Sequence, residues 1–353
     1  MGRYVFLSGG LNNVRKEEMK TIDPATISGV SMKSDSVPHV KRISRSIRDE
    51  EQQLRAQLPW LGAQDAIGLG IFAVSCAALV TLAGLYLGGL LPWWAAIPLI
   101  ALPLSLLHEL EHDLIHDLYF RERRWAQDVL FAVIFLAKQS MDPWTRRQIH
   151  LRHHRVSGQE TDIEERLIGL GLPMGPLRLL ITILPAATAL LWPGIRRSLR
   201  AERRPAPPTP SVSQRLARLA SAAFALLPLV VLPAALAGAP WAVTLAVLVV
   251  GPNLIRHATI AAISSSSHYC GDIPEGAVYY QNQILDHPLT WPVQLFCFNF
   301  GATHILHHYV VHQPFYIRQL VAPRVRHILL EEGVRRNDLG TFRRANRWSL
   351  AGR

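Results

Sequence analysis

The sequence predicts an all-α integral membrane protein with four transmembrane helices, interfacial helices and a cytoplasmic cap rich in histidine. Of its 353 residues, 49% are hydrophobic and the formal net charge is +11, yet the apolar residues gather in long blocks between arginine-rich segments. Four blocks are long enough to cross a hydrocarbon core about 30 Å thick. Histidines and acids lie at the ends of these blocks, where polar groups are expensive and usually functional.

The predicted spans form two helical hairpins. The sequence PWW, with Trp93 and Trp94, turns the first hairpin at the membrane interface, and GAP turns the second. The basic run from Arg121 to Arg124 marks the cytoplasmic end of the first hairpin by the positive-inside rule. Both termini and the loop between the hairpins are therefore expected in the cytoplasm. The spans cover residues 66–91, about 94 to His108, 215–236 and 240–263.

Three further apolar stretches are not predicted to cross. Residues 125–137 and 289–302 are too short and suit interfacial helices. Residues 167–193 are long enough, but Gly, Pro and Arg178 interrupt them. If they crossed, the basic block 196–204 would lie outside, so we expect this stretch to lie in the interface or to dip in and out.

The chain divides into three predicted parts. Residues 1–60 are expected to be a polar, disordered N-terminal tail, residues 61–325 a membrane domain, and residues 326–353 a basic C-terminal tail.

The basic excess could suit nucleic acid, but no nucleic-acid-binding module is recognisable. Lysine and arginine beside apolar spans suit the anionic surface of membrane lipid instead. The three cysteines stand far apart and give no disulfide framework.

Eleven of the fifteen histidines fall in four places at the cytoplasmic ends of the predicted spans. Residues i, i+3 and i+4 share one helical face, so the HxxHH and HxxxH spacings present several imidazoles together. Imidazole is a ligand for iron, copper and zinc. One four-coordinate zinc uses at most four ligands, so nine or more histidines imply at least two metal ions. The four places are HELEHDLIH (108–116), HLRHH (150–154), SHYCGD (His268) and HILHHYVVH (304–312).

A structural role is the alternative for each histidine taken alone. An isolated HxxxH is common, but two HxxHH boxes about 150 residues apart, each beside an apolar span, are far more specific. Four histidines outside the boxes are expected to be ordinary polar residues, and His312 is left open. Those four are His39, His257, His287 and His327.

Two functional classes, a metal transporter and a zinc hydrolase, also fit a membrane protein with metal ligands. A zinc or iron transporter holds its ligands near the bilayer midplane, whereas the predicted spans are nearly free of histidine and acid. A hydrolase with one zinc needs fewer ligands. Both alternatives are therefore weaker than a centre with two metals.

Acids near the boxes are predicted to support the ligands. A ligating histidine usually donates its second ring N–H to a carboxylate or a carbonyl. Glu109, Asp113, Glu160 and Asp162 are placed for that role, as is Glu111. The alternative for Glu111 and Asp113 is that they simply solvate the end of the helix.

These motifs, in this order, resemble the membrane-bound fatty acid desaturase and hydroxylase superfamily. The resemblance covers residues 60–320 and rests on HDLIHDLYF, HLRHH, SHYCGD and HILHH. It implies a four-helix membrane stalk, a cytoplasmic histidine cap, two iron ions and O₂-dependent attack on unactivated C–H bonds. It also implies nine ligands, namely His112 with His108 or His116, then His150, His153, His154, His268, His304, His307 and His308.

The sequence departs from the family pattern in two places. HELEH (108–112) is similar to the alkane-hydroxylase form of the first box and HDLIH (112–116) to the desaturase form, with His112 common to both. Acyl-CoA desaturases have an Asn four residues before the isolated histidine, and here that position is Ser264.

The resemblance implies oxidation of a fatty acid or fatty acyl chain, with desaturation as the first expectation. The overlapping first box is also similar to a branch that decarboxylates free fatty acids to terminal alkenes, and alkyl hydroxylation is a third outcome. No fused cytochrome b5 motif or cysteine-rich ferredoxin segment is present, so a separate ferredoxin or cytochrome b5 with its reductase is expected to supply electrons.

Six arginines could attract a carboxylate, a CoA phosphate or this partner, or simply face lipid. They are Arg121, Arg123, Arg124, Arg146, Arg147 and Arg152.

Overall fold

The computed structural model describes residues 32–344 and 347–348, apart from 160, 169–171, 173, 188–189, 191–211 and 272. This part of the chain is almost entirely helical. Its helices are α1 (Met32–Gln57), α2 (Gln64–Leu87), α3 (Trp93–Ile115), α4 (Arg124–Lys138), α5 (Pro143–Val156), α6 (Ile163–Leu167), α7 (Pro176–Ile183), α8 (Val212–Leu236), α9 (Pro240–Ser267), α10 (Val278–Gln281), α11 (Trp291–Leu295), α12 (Phe300–Tyr309), α13 (Phe315–Glu331) and α14 (Gly340–Arg344). Short 3₁₀ turns cover Pro59–Gly62 and Pro288–Thr290, and α9 contains a π-helical turn at Ala246–Val250. A parallel pair joins β1 (Cys270–Gly271) to β2 (Arg347–Trp348).

Four of the described helices are long and apolar enough to cross a membrane, which confirms the predicted fold class. They are α2, α3, α8 and α9, and their bounds agree with the predicted spans to within a few residues except at the end of α3. That helix continues past His108 to Ile115, so the first histidine box extends the span. Helices α3 and α9 are the more buried pair, while α2 and α8 fully bury few of their residues. The inner pair therefore positions the site.

Helix α1 shows that the prediction of a disordered N-terminal tail is wrong for residues 32–57. Ile43, Ile47 and Leu54 share one face of α1 and are buried against apolar residues of α13. Burial of each such side chain contributes about 1.5–3 kcal/mol, enough to order a charged helix whose other face is solvated. Residues 1–31 lie outside the described residues.

The C-terminal segment also packs against α1 and against the segment that follows His268. Helix α13 runs through the predicted boundary at residue 326, and its Val325 and Leu329 belong to the same buried cluster as α1. The β1–β2 pair then joins the end of the chain to the segment that follows His268.

The shorter apolar stretches form helices shorter than a membrane span. Helix α4 exposes Trp125 and Val129 on one face while it buries Leu130 and Phe131. Within residues 167–193 the described part contains the eight-residue helix α7, which is too short to span and is followed, after a break at Leu184, by helical residues 185–187. The last stretch forms α11 and the beginning of α12.

Candidate metal centre

Nine histidines from four elements meet in the interior of the cap. Helix α3 supplies His112 and His116 from its last turn and its C-cap, and the C-cap of α9 supplies His268. The HxxHH sequences of α5 and α12 supply three histidines each, because residues i, i+3 and i+4 lie on one helical face. Those six are His150, His153, His154, His304, His307 and His308.

Eight of these histidines form two compact groups. In each group, one ring nitrogen from every member lies within 4.8 Å of the others, and every member is buried. We call them group one and group two. Group one is His112, His116, His150 and His307, and group two is His153, His268, His304 and His308.

The spacing of the nitrogens fits shared metal ions. In group two, His268 Nε2 lies 3.1 Å from His304 Nε2 and 3.3 Å from His308 Nε2. In group one, His116 Nε2 and His307 Nε2 are 3.1 Å apart. Two nitrogens that each bind a metal at about 2.1 Å lie about 3.0 Å apart at a right angle and about 3.4 Å apart in a tetrahedron. The observed separations match this range.

His154 is the ninth histidine and lies at the edge of group one. Its Nε2 is 3.1 Å from His150 Nε2 and 2.9 Å from His307 Nε2. Its ring centroid is also 4.8 Å from that of His308. His154 therefore links the two groups.

His108, the tenth predicted ligand, lies outside both groups. Its Nε2 is 3.1 Å from Arg146 Nη2, and its Nδ1 is 3.5 Å from Arg256 Nη1. Each four-residue step along a helix rotates the side chain by about 40°, so His108 points about 80° away from His116. The structure thus brings His116, and not His108, beside His112.

Several outer ring nitrogens have partners that fix the ring. His153 Nδ1 lies 2.6 Å from Asp162 Oδ2, and His150 Nδ1 lies 2.8 Å from Glu164 Oε2. His268 Nδ1 donates to the main-chain oxygen of Ser264 at 2.8 Å. A ring that donates through Nδ1 presents the lone pair of Nε2 to the centre, the arrangement typical of metal-ligating histidines.

The predicted supporting acids do not all contact histidine. Asp162 does, but Glu109 lies 3.7 Å from Arg318, and Glu111 binds Lys138 and Arg146 at 2.5 and 2.6 Å. The alternative that Glu111 solvates the helix end is wrong, because it is 1% exposed. The predicted Glu160 lies outside the described residues.

Asp113 likewise is fully buried and does not solvate the helix end. It accepts hydrogen bonds from the Phe315 amide at 2.8 Å, from Tyr119 at 3.1 Å and from Arg318 at 3.2 Å. The same guanidinium lies 3.3 Å from His307 Nδ1. Asp113 and Arg318 therefore connect α3 to α12 and α13 behind group one.

Sequence reasoning missed three supporting residues besides Arg318. Glu164 and Glu165 follow Asp162 by two and three residues in TDIEER, and the Glu165 carboxylate lies 3.3 Å from His268 Nδ1. Their nearness to Asp162 was a usable signal. Gln281, 3.3 Å from His308 Nδ1 through its side-chain oxygen, has no such signal because it lies 27 residues from its histidine.

His112 provides an independent sign of a missing ligand. Both of its ring nitrogens are buried and have no hydrogen-bond partner. Leaving one buried polar group unpaired costs about 1–3 kcal/mol. A metal ion in group one would satisfy one of these nitrogens, so the residues present fit a metal.

The centre favours neutral imidazole, the form that binds metal. Burial lowers the pKa of His116, His154 and His307, neighbouring histidines lower it further, and Arg318 adds to this effect at His116 and His307. His153 is the exception. Burial lowers the pKa of this ring, but the Asp162 carboxylate more than offsets burial and raises it to about 9.

A cavity opens onto both groups. It encloses about 940 Å³ including its mouth and reaches His112 and His150 of group one as well as His153, His268 and His304 of group two. Ile149, Ile260 and Phe300 contribute apolar wall, and Arg146, Arg256 and Lys138 line another part. The cavity can thus hold a mainly apolar molecule against the histidines.

One comparison with known proteins identifies a family. The family model described as "Fatty acid desaturase" matches residues 88–340, a range that contains all ten predicted ligands. No curated protein matches the chain.

Proposed function

The chain belongs to the fatty acid desaturase family, and on that premise we propose that it is a membrane di-iron oxidoreductase acting on fatty acyl chains. The observation that supports this most directly is the pair of buried four-histidine groups at one cavity. Each group has enough imidazoles for one metal ion. The protein itself is an integral membrane protein with four membrane-competent helices.

The ligands favour a redox metal over a transported one. Both groups contain only imidazole, which suits iron, copper and zinc alike, and the family's oxidation chemistry favours iron. A transporter would need its ligands near the middle of the spans. In the described residues the groups lie instead at the ends of α3 and α9 and on helices outside the spans.

We propose that group one and group two each hold one iron ion, with His154 as the ninth ligand. When bound, the two irons would supply activation of O₂ with two external electrons. The chain's own residues would do the rest. Asp162, Glu164 and the Ser264 carbonyl hold ring orientation, and the apolar cavity wall excludes water and positions the acyl chain.

The overall reaction proposed first is desaturation. A –CH₂–CH₂– unit, O₂, two electrons and two protons give –CH=CH– and two water molecules. A second candidate is oxidative decarboxylation of a free fatty acid, in which R–CH₂–CH₂–COOH, O₂, two electrons and two protons give the terminal alkene R–CH=CH₂, CO₂ and two water molecules. The observation that favours it is the cationic part of the cavity wall, at Lys138, Arg146 and Arg256. Hydroxylation would leave oxygen on the chain.

We further propose that the histidine centre and both termini face the cytoplasm. The basic residues between and after the hairpins support this orientation by the positive-inside rule. A separate ferredoxin or cytochrome b5 with its reductase would deliver electrons on that side, and the cytoplasmic arginines would face it or lipid.

The test is anaerobic purification with metal analysis, followed by mass spectrometry of products. A free fatty acid and the matched acyl-CoA would each be supplied with O₂ and a ferredoxin–reductase system. We expect about two irons per chain and a product with one new double bond. An internal alkene indicates desaturation, a terminal alkene one carbon shorter indicates decarboxylation, and an alcohol indicates hydroxylation. One zinc per chain without O₂ consumption would contradict the proposal.

A further inference from the structure

A cluster of cationic side chains lines the cavity beside the histidine groups. We call Lys138, Arg146 and Arg256, with His108 between the two arginines, the cation cluster. Lys138 is 1% exposed and Arg256 is 3% exposed, and all four residues border the cavity. Arg256 lies within the membrane-competent helix α9, where an ionised side chain is costly and typically lies on a substrate path.

The cation cluster has more positive charge than its acids neutralise. Glu111 is the one acid within ion-pair distance of the cluster among the described residues, and it contacts Lys138 and Arg146. A single carboxylate is thus the ion-pair partner available to two arginines and Lys138, while Glu164 and Glu165, which also line the cavity, lie against His150 and His268. Arg256 donates to Asn253 Oδ1 and to the Lys138 carbonyl, both at 3.2 Å, and neither acceptor is charged.

Hydrogen-bond donors are also in excess. Both ring nitrogens of His108 face guanidinium groups, from Arg146 and Arg256. A neutral imidazole has one acceptor and one donor nitrogen, so one of these contacts places a donor against a donor. A guanidinium has five N–H donors, and the partners of Arg256 within the described chain account for at most three. An anion with two acceptor oxygens would accept hydrogen bonds from the remaining Arg256 donors and would add negative charge beside the cluster.

The cluster lies one helical turn from group one on two helices. His108 precedes His112 by four residues on α3, and Arg146 precedes His150 by four on α5, a rise of about 6 Å in each case. A carboxyl carbon and the β-carbon are separated by about 2.5 Å, given C–C bonds of about 1.5 Å. A carboxylate at the cluster therefore brings the carboxyl half of a medium-length chain, within about its first six carbons, to the histidine groups.

We propose that the cation cluster binds the carboxylate of a free fatty acid, with Arg256 as the principal partner. This assignment rests on the proposed function and specifies its substrate class. The burial of Arg256 and Lys138 suits a carboxylate, which is small, and does not suit the bulky head group of an acyl-CoA.

Binding without turnover tests the assignment separately from the oxidation chemistry. Dodecanoate, methyl dodecanoate and dodecanoyl-CoA would be titrated into the detergent-purified holoenzyme with no reductant present. We expect dodecanoate to bind at least tenfold more tightly than the methyl ester, because the charge-assisted hydrogen bonds need a carboxylate. Dodecanoyl-CoA binding at least as tight as dodecanoate would overturn the assignment, whatever reaction the enzyme performs.

Substitution then locates the site. Arg256→Gln is expected to weaken dodecanoate binding at least tenfold and to leave the methyl ester affinity and the metal content unchanged, and Arg256→Lys should restore part of the loss. Unchanged methyl ester binding shows that the variant is folded. Arg152→Gln tests the rival surface site and should leave dodecanoate affinity unchanged. Loss of affinity in Arg152→Gln but not in Arg256→Gln would overturn the assignment.

Discussion

Replacing His116 with alanine is expected to remove a metal ion, whereas replacing His108 is not. His116 Nε2 lies 3.1 Å from His307 Nε2 inside group one, while both nitrogens of His108 face guanidinium groups. Four-ligand metal sites in proteins bind zinc with about 10–16 kcal/mol, or about 2.5–4 kcal/mol per ligand. Loss of one ligand therefore predicts a fall in affinity on the order of 10²- to 10³-fold.

The assay is metal content per chain after dialysis against a chelator that the parent protein survives. We expect about two metal ions in the parent protein, about one in His116→Ala and about two in His108→Ala. His312→Ala is the matched control, because His312 is exposed and follows the same histidine motif. Full retention of metal in His116→Ala together with loss in His108→Ala would refute the assignment of the first box.

Three further results are expected. Gly68→Ala should destabilise the protein by about 1–3 kcal/mol through overpacking, because the new Cβ would lie 2.5 Å from the Tyr119 ring. Gly70→Ala is the control, since its Cβ meets nothing within 4 Å. Thermal unfolding in detergent compares the two variants, and equal unfolding midpoints would contradict the prediction. Asp162→Asn should weaken metal binding about 10- to 100-fold, as measured by chelator competition. A metal affinity equal to that of the parent protein would show that the 2.6 Å contact between Asp162 and His153 does not strengthen metal binding by His153. The pKa of His153 is raised to about 9, and metal binding displaces the proton of this ring. The metal affinity of group two should therefore rise about tenfold per pH unit from pH 7 to about pH 9 and then level off. A metal affinity that does not change with pH in chelator competition would contradict that linkage.

The sequence predicted the spans well because their signal is local. A run such as residues 66–91 contains no charge and is long enough for the bilayer whatever it packs against. It failed at α1 because the three apolar residues that α1 buries, Ile43, Ile47 and Leu54, are scattered among polar and charged residues. Only the partner surface on α13, almost 300 residues away, makes that sparse apolar face sufficient.

The histidine spacing predicted that several imidazoles would share one face, and it found all nine histidines that the structure brings together. It could not choose between His108 and His116, because both are one turn from His112. It placed Glu109 and Asp113 beside histidines, and Asp113 does lie 3.7 Å from His112 Nδ1, but it could not show that both acids contact Arg318, which is 205 residues from Asp113.

By itself the sequence determined an all-α membrane protein of the desaturase type and the chemical nature of its ligands, because span length and helical spacing are properties of neighbouring residues. Tertiary structure alone decided which first-box histidine joins the centre, which acids orient the rings and which cations border the cavity. Each of those depends on how α3 is rotated against α5, α9 and α13. That rotation is set by packing between segments far apart in the chain.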